Sequence, residues 1–226
     1  MTVLEPLYDK KYECIFCKKT FSSKKVRSRF IKVKAYDTDF FPYYESEEAN
    51  PILYHIHVCP DCGFSSSDDF SKYFPPGTKE NITEKVANRW APHEYGSKRT
   101  ISQAIETYKL AIYCGTLKKE KHIILAGLYL RVAWLYRING DATQEQRFMK
   151  LAANEYKESY VTSDNQGTQT SSVRILYLIG ELSRRMNNIE EAVQYFSRVL
   201  ELQRQSTESK IIEMARERWH EIRDNN

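Results

Sequence analysis

The chain has 226 residues, 41% of them hydrophobic and 28% charged, with a formal net charge of +4. That balance belongs to a folded globular protein and argues against a disordered or membrane-embedded one. So small a positive excess is little argument for nucleic acid. Met1 to Lys11 has no apolar core, so no secretory leader is expected. The longest apolar-leaning stretch, Ile123 to Ile138, is broken by Arg131 and Arg137 and is too short and too charged to span a bilayer. A cytoplasmic location is therefore expected.

In chain order, the first signal is Cys14-Ile-Phe-Cys17, a turn-like metal knuckle. A basic run follows: Lys18, Lys19, Lys24, Lys25, Arg27, Arg29, Lys32 and Lys34. Val26 to Tyr36 alternates and is rich in β-branched and aromatic residues, which predicts a strand. Residues 37–51 read as an aromatic loop holding Phe40, Phe41, Tyr43 and Tyr44. Ile52 to Val58 predicts a second strand that leads into Cys59-Pro-Asp-Cys62-Gly63. Ser66 or Ser67 is expected to cap a short helix ending near Tyr73. Pro75-Pro76-Gly77 then breaks the chain and marks a domain boundary.

After residue 80 the pattern turns helical. Helices are expected near 82–90, 100–115, 119–138, 142–160, 171–186, 189–204 and 208–223. Asn139-Gly140-Asp141 and Asn187-Asn188 punctuate two pairs, and Val161 to Gly167 forms a longer polar connector. One pair resembles a tetratricopeptide repeat, with Gly180 and Ala192 as the small residues that let its two helices approach. Earlier copies are degenerate: Glu145 stands where a small residue is expected, and the first copy falls across Pro92. The fold class expected is α+β, mostly α. A zinc-ribbon-like module over 1–75 precedes an α-α superhelix of degenerate repeats over 76–226.

Cys14, Cys17, Cys59 and Cys62 supply the four thiolates of a closed tetrahedral Zn²⁺ site. The 41 residues between the pairs, 18–58, must fold to bring them together. Gly63 suits the positive-φ backbone of a knuckle. One structural zinc is the cofactor expected. A four-cysteine iron–sulfur centre, a redox pair and chance cysteines remain as alternatives. A closed site argues against zinc catalysis. His55 and His57 are read as two residues on one strand face rather than ligands. Cys114 is read as a small buried residue.

The combination resembles a bacterial family of uncharacterised proteins that pair an N-terminal double Cys-x-x-Cys module with a tetratricopeptide-like tail. The matching residues are Tyr12-Glu-Cys14-Ile-Phe-Cys17, His57-Val-Cys59-Pro-Asp-Cys62-Gly-Phe64 and the helices from Ala104 to Leu202. The resemblance implies a cytoplasmic protein without an assigned activity. No phosphate-binding glycine loop, nucleophile elbow or catalytic constellation is present, so no enzyme is expected. The leading expectation is a zinc-stabilised interaction protein that binds a peptide or protein through its helices, with Arg131, Asn139 and Arg174 as candidate contacts. The alternative is a nucleic-acid-binding or regulatory protein gripping phosphates with Lys24, Lys25, Arg27 and Arg29. A thiol-redox or metal-handling protein is the third. No membrane partner is expected.

Overall fold

A computed structural model describes residues 4–224; the outer ends of the two expected domains, 1–3 and 225–226, lie outside the described residues. The fold is α+β and mostly α, with small antiparallel strand pairs around the cysteines and seven helices among the described residues. By contact, the chain forms two compact units. The first gathers the chain up to Tyr36, Pro42–Glu120 and Trp134–Gly140; the second gathers Asp37–Phe41, Lys121–Ala133 and everything from Asp141. The boundary expected at residue 75 falls inside the first unit.

In the first unit, β1 (Leu7–Glu13) pairs antiparallel with β2 (Thr20–Val26), from Leu7 opposite Val26 to Glu13 opposite Thr20. β3 (Val33–Tyr36) pairs with β4 (Pro42–Tyr44), and β5 (His57–Val58) with β6 (Ser65–Ser66). The strand expected over 26–36 is therefore broken. A 3-10 turn at Ser28–Phe30 interrupts it, between the end of β2 at Val26 and β3 at Val33–Tyr36. Of the strand expected over 52–58 only His57–Val58 pairs as a strand; a second 3-10 turn, Pro51–Tyr54, precedes it, because Asn50 caps that turn by accepting from the Ile52 amide and Pro51 presets its first φ. No helix forms over 66–73; the Ser67 hydroxyl instead accepts from the Asp69 amide in a local turn.

Two helices complete this unit. α1 spans Thr78–Lys85 and α2 spans Ile101–Lys118. Thr100 opens α2 with a capping box: its side chain accepts from the Gln103 amide, and Gln103 reaches back to the Thr100 amide. Arg99, just before that cap, is 5% exposed. Its guanidinium donates to the carbonyls of Tyr95 at 2.7 Å, Leu53 at 3.1 Å and Ile56 at 2.6 Å, and to Ser23 Oγ at 3.3 Å. The stretches around Ser23, Leu53–Ile56 and Tyr95 thus meet on one side chain. Burial pushes Arg99 down to about 10, still cationic at neutral pH. At the far end of α2, Lys118 and Glu120 form a buried pair at 2.5 Å, and Glu120 also accepts from the Ser71 amide.

The second unit is helical. α3 spans His122–Ile138, and its part up to Ala133 lies here. α4 is Ala142–Thr162, α5 Ser172–Arg185, α6 Ile189–Glu201 and α7 Ser209–Asp224. Asp141, Ser171 and Asn188 cap α4, α5 and α6 through their side chains. Asp164, in the connector after α4, accepts from the His122 amide and so caps α3 from a distance. α5 is central: every residue from Val173 to Ser183 except Arg174 is buried. Its core partners include Ala192, Phe196, Val199, Ile211, Ile212 and Ala215. At Gly180 an added Cβ would lie 2.9 Å from the Phe196 ring and 3.4 Å from the Ala192 carbonyl, which is the close approach expected of this pair.

The remaining face of α5 is covered by the segment Asp37–Phe41, which belongs to this unit although it connects β3 to β4. Tyr177 donates to the Thr38 carbonyl at 2.8 Å, and Thr38 donates to the fully buried Glu181 at 2.5 Å. Arg185 reaches Asp37, Asp39 and Glu181. The Phe40 ring lies against Tyr177.

Candidate metal centre

The two Cys-x-x-Cys pairs form two knuckles with the same backbone plan. In the first, the Lys18 amide donates to the Cys14 carbonyl at 2.9 Å, and the Cys14 amide donates to Lys19. In the second, the Gly63 amide donates to the Cys59 carbonyl at 2.9 Å, and the Cys59 amide donates to Phe64. The turn demands a left-handed residue after each pair: Gly63 has φ +70° and Lys18 φ +66°. Only glycine adopts that conformation without steric cost. Glycine at 63 answers a second need as well. A Cβ there would sit 2.4 Å from the Trp90 ring, which lies on the knuckle and donates its indole N–H to the Pro60 carbonyl at 2.8 Å. Lys19 bridges the knuckles through an ion pair with Asp61 at 2.8 Å.

The four sulfurs lie within 4.8 Å of one another, with Cys14–Cys62 at 3.7 Å and Cys17–Cys59 at 3.6 Å. Four sulfurs at about 2.3 Å from one ion in a tetrahedron stand about 3.8 Å apart. The set therefore fits a single metal ion. The electrostatics point the same way. Hydrogen bonds from the Cys14 and Cys62 thiols hold Cys59 down to about 2. The bond to Cys59 is the largest cause that pushes Cys14 up to about 12, and Cys62 is raised by its bonds to Cys14 and Cys59. Thiols crowded this closely shift one another's proton affinity in opposite directions; a divalent cation would neutralise four thiolates at once. The amides of Phe16 and Cys17 face the Cys14 sulfur, and those of Asp61 and Cys62 face Cys59. They supply the outer hydrogen bonds of such a centre.

Neither histidine joins this group. His57 stacks on Tyr12 at 4.3 Å between ring centroids, and its Nε2 lies 3.3 Å from Ser66 Oγ. Burial holds it down to about 4. His55 follows the 3-10 turn, so the two do not share a strand face; it lies against Tyr108 with Asp69 at 3.6 Å. Cys114 is buried in α2 and its sulfur accepts from the Ser65 amide at 3.4 Å. That acceptor role ties β6 to α2 and was invisible in the sequence.

The basic run is largely matched by nearby acids. Lys24 pairs with Asp9 at 2.9 Å, and Lys25 with Asp68 at 3.4 Å. Arg27 donates to the Glu5 carbonyl and lies over the Tyr8 ring; Arg29 lies over Phe30. Of the candidate partner contacts, Arg131 donates to the Gly127 carbonyl of its own helix at 2.9 Å. Arg174 sits between Glu208 at 3.6 Å and the Phe40 ring at 4.9 Å. Asn139 is exposed after α3. Trp90 and Lys19–Asp61, which brace the knuckles, escaped sequence reading. The indole comes from a segment 28 residues beyond Cys62 that carries no metal-site pattern.

No helix is long and apolar enough to cross a membrane among the described residues. A family model described as "Uncharacterized protein conserved in bacteria (DUF2225)" matches residues 7–222. No curated protein and no solved structure matches the chain.

Proposed function

The chain belongs to this uncharacterised bacterial family, and we propose that it is a zinc-stabilised interaction protein. Cys14, Cys17, Cys59 and Cys62 would hold one structural Zn²⁺, and the helical hairpins would present a surface to a peptide or protein. The observation that carries the reading is the set of four sulfurs at tetrahedral spacing on two matched knuckles. Four thiolates saturate zinc and leave no position for a reacting water, so the ion's contribution is folding energy rather than chemistry. Support for the interaction half comes from the close α5–α6 packing at Gly180 and Phe196, which is the small-residue contact of a tetratricopeptide-like hairpin. The nucleic-acid reading draws less support, because Lys24 and Lys25 already face carboxylates.

Elemental analysis of the purified chain, run beside in-cell crosslinking, tests both halves. One zinc per chain, lost in Cys59→Ser, and a protein crosslinked saturably are the expected results. Iron at the site, or a metal-free folded chain, overturns the zinc half. No saturable protein partner, with nucleic acid co-purifying instead, overturns the interaction half.

A further inference from the structure

We propose that the face of α4 bearing Arg147, Lys150 and Asn154 is the docking site for an extended acidic peptide with carboxylates at alternate positions; this deepens the interaction reading and rests on it. Thr143, Arg147, Lys150, Asn154 and Lys157 recur at intervals of three and four, so they form one stripe along the helix. With Met186, Asn188 and Glu191 they line an open cavity of about 520 Å³ within the second unit, a size in the range of ligand sites.

The stripe is not evenly occupied. At one end Lys157 binds Glu191 at 2.5 Å, and Glu191 also accepts from Ser183 at 2.7 Å and Asn188 at 3.2 Å. Burial works to raise the Glu191 carboxyl, but Lys157 and the Ser183 hydroxyl keep it below the usual carboxylate range. The single acid of the cavity is thus already satisfied. Arg147 and Lys150 are exposed and make no ion pair among the described residues; Arg147 only lies over the neighbouring Phe148 ring. Gln146 and Asn154 make no side-chain hydrogen bond among the described residues, and each offers a donor and an acceptor suited to a peptide backbone.

The spacing selects the ligand. Residues three apart on a helix face stand about 5–6 Å apart at Cβ. Alternate residues of an extended chain lie on one face about 6.7 Å apart. Two cations one turn apart therefore match an acid-x-acid segment. The same unit already holds such a segment: Asp37 and Asp39, alternate residues, both approach Arg185. With the α5 face filled by that segment, the α4 stripe offers Arg147 and Lys150 one turn apart, without an ion pair among the described residues. A nucleic acid would demand a longer run of unpaired cations along the surface than two.

The test uses the full metal-loaded chain and a labelled, end-capped peptide with Asp at three alternate positions. Fluorescence anisotropy should show saturable binding that weakens at least tenfold in Arg147→Glu/Lys150→Glu, whose circular dichroism melt matches the parent. A peptide with Asn in place of Asp should bind at least tenfold more weakly. No binding to the parent chain, equal binding by the double variant, or equal binding of the Asn peptide overturns the proposal. Tighter binding of an oligonucleotide of matched charge at the same two residues also overturns it. A partner that crosslinks equally to parent and double variant sinks this site alone and leaves the interaction reading standing.

Discussion

Arg185 Nη2 meets Asp37 Oδ1 at 2.5 Å across 148 residues of sequence. The same guanidinium reaches Glu181 at 2.8 Å and Asp39 at 3.8 Å, and both of those carboxylates are fully buried. Arg185→Ala would leave Glu181 with Arg184 and the Thr38 hydroxyl, and Asp39 without this cation. Removing one partner of a buried charge cluster typically costs about 3–5 kcal/mol. Arg184 remains on Glu181 at 2.7 Å, so the lower end, about 3 kcal/mol, is expected in urea denaturation. A change below about 0.5 kcal/mol would show that the segment 37–41 is not held by this arginine.

Gly63→Ala should destabilise the second knuckle. Left-handed φ costs an L-residue roughly 1–2 kcal/mol, and the new methyl would meet the Trp90 ring at 2.4 Å. Trp90→Ala in the same chain removes the clash but not the φ penalty, so the double variant should be more stable than the two single costs summed. Additive costs would exclude the contact. Lys18→Gly is the complementary change. At φ +66° glycine relieves backbone strain, and a gain of about 1 kcal/mol is expected from thermal melts.

Arg99→Met keeps the length and removes the donors. The carbonyls of Tyr95, Leu53 and Ile56 would then lose their partner inside the first unit. Each buried group left unsatisfied costs about 1–3 kcal/mol, so a loss of at least about 3 kcal/mol is expected. Hydrogen exchange at the amides around 53–56 should speed up more than elsewhere. Uniform exchange would contradict a local role.

Cys114 gives a pH dependence with a definite sign. Burial raises its thiol from 9.0 to about 12 in the folded chain. Below pH 9 the thiol is protonated in both states and its contribution is complete. As pH rises from 9 towards 12, the unfolded chain loses this proton first, so stability falls. One such proton is worth at most about 1.4 kcal/mol per pH unit. Cys114→Ala should therefore show a shallower loss of stability than the parent between pH 9 and 10.5. Equal slopes would mean that another group carries the alkaline transition. The parent thiol should also react slowly with iodoacetamide at pH 8 while folded.

What the sequence announced well were features that local physics decides. The two knuckles follow from thiolate spacing and from glycine at 63. α2 through α7 follow from apolar periodicity and from caps such as Asn188. What it hid were features set by tertiary contact. The alternation around 26–36 reads as one strand, yet Ser28–Phe30 turns and the chain changes direction. β1 carries no strand signature of its own because Leu7–Glu13 is more than half charged, and its pairing with β2 supplies the order that its composition lacks. Trp90 could not be assigned to the cysteine site from any spacing. The sequence marks 37–51 only as an aromatic loop, whereas its first five residues pack with the helical unit.

That excursion of Asp37–Phe41 sets an order of assembly during translation. These residues leave the ribosome early, but the arginine they bind is made 148 residues later, on the order of ten seconds at bacterial elongation rates. Within that interval Cys59, Cys62 and Trp90 are made as well, so the cysteine module has its parts before α5 exists. The hairpin tip, with two acids and two phenylalanines, waits in solvent for α5. The helical unit is therefore finished by a piece synthesised before any of its helices, and no fragment beginning after residue 41 contains it whole.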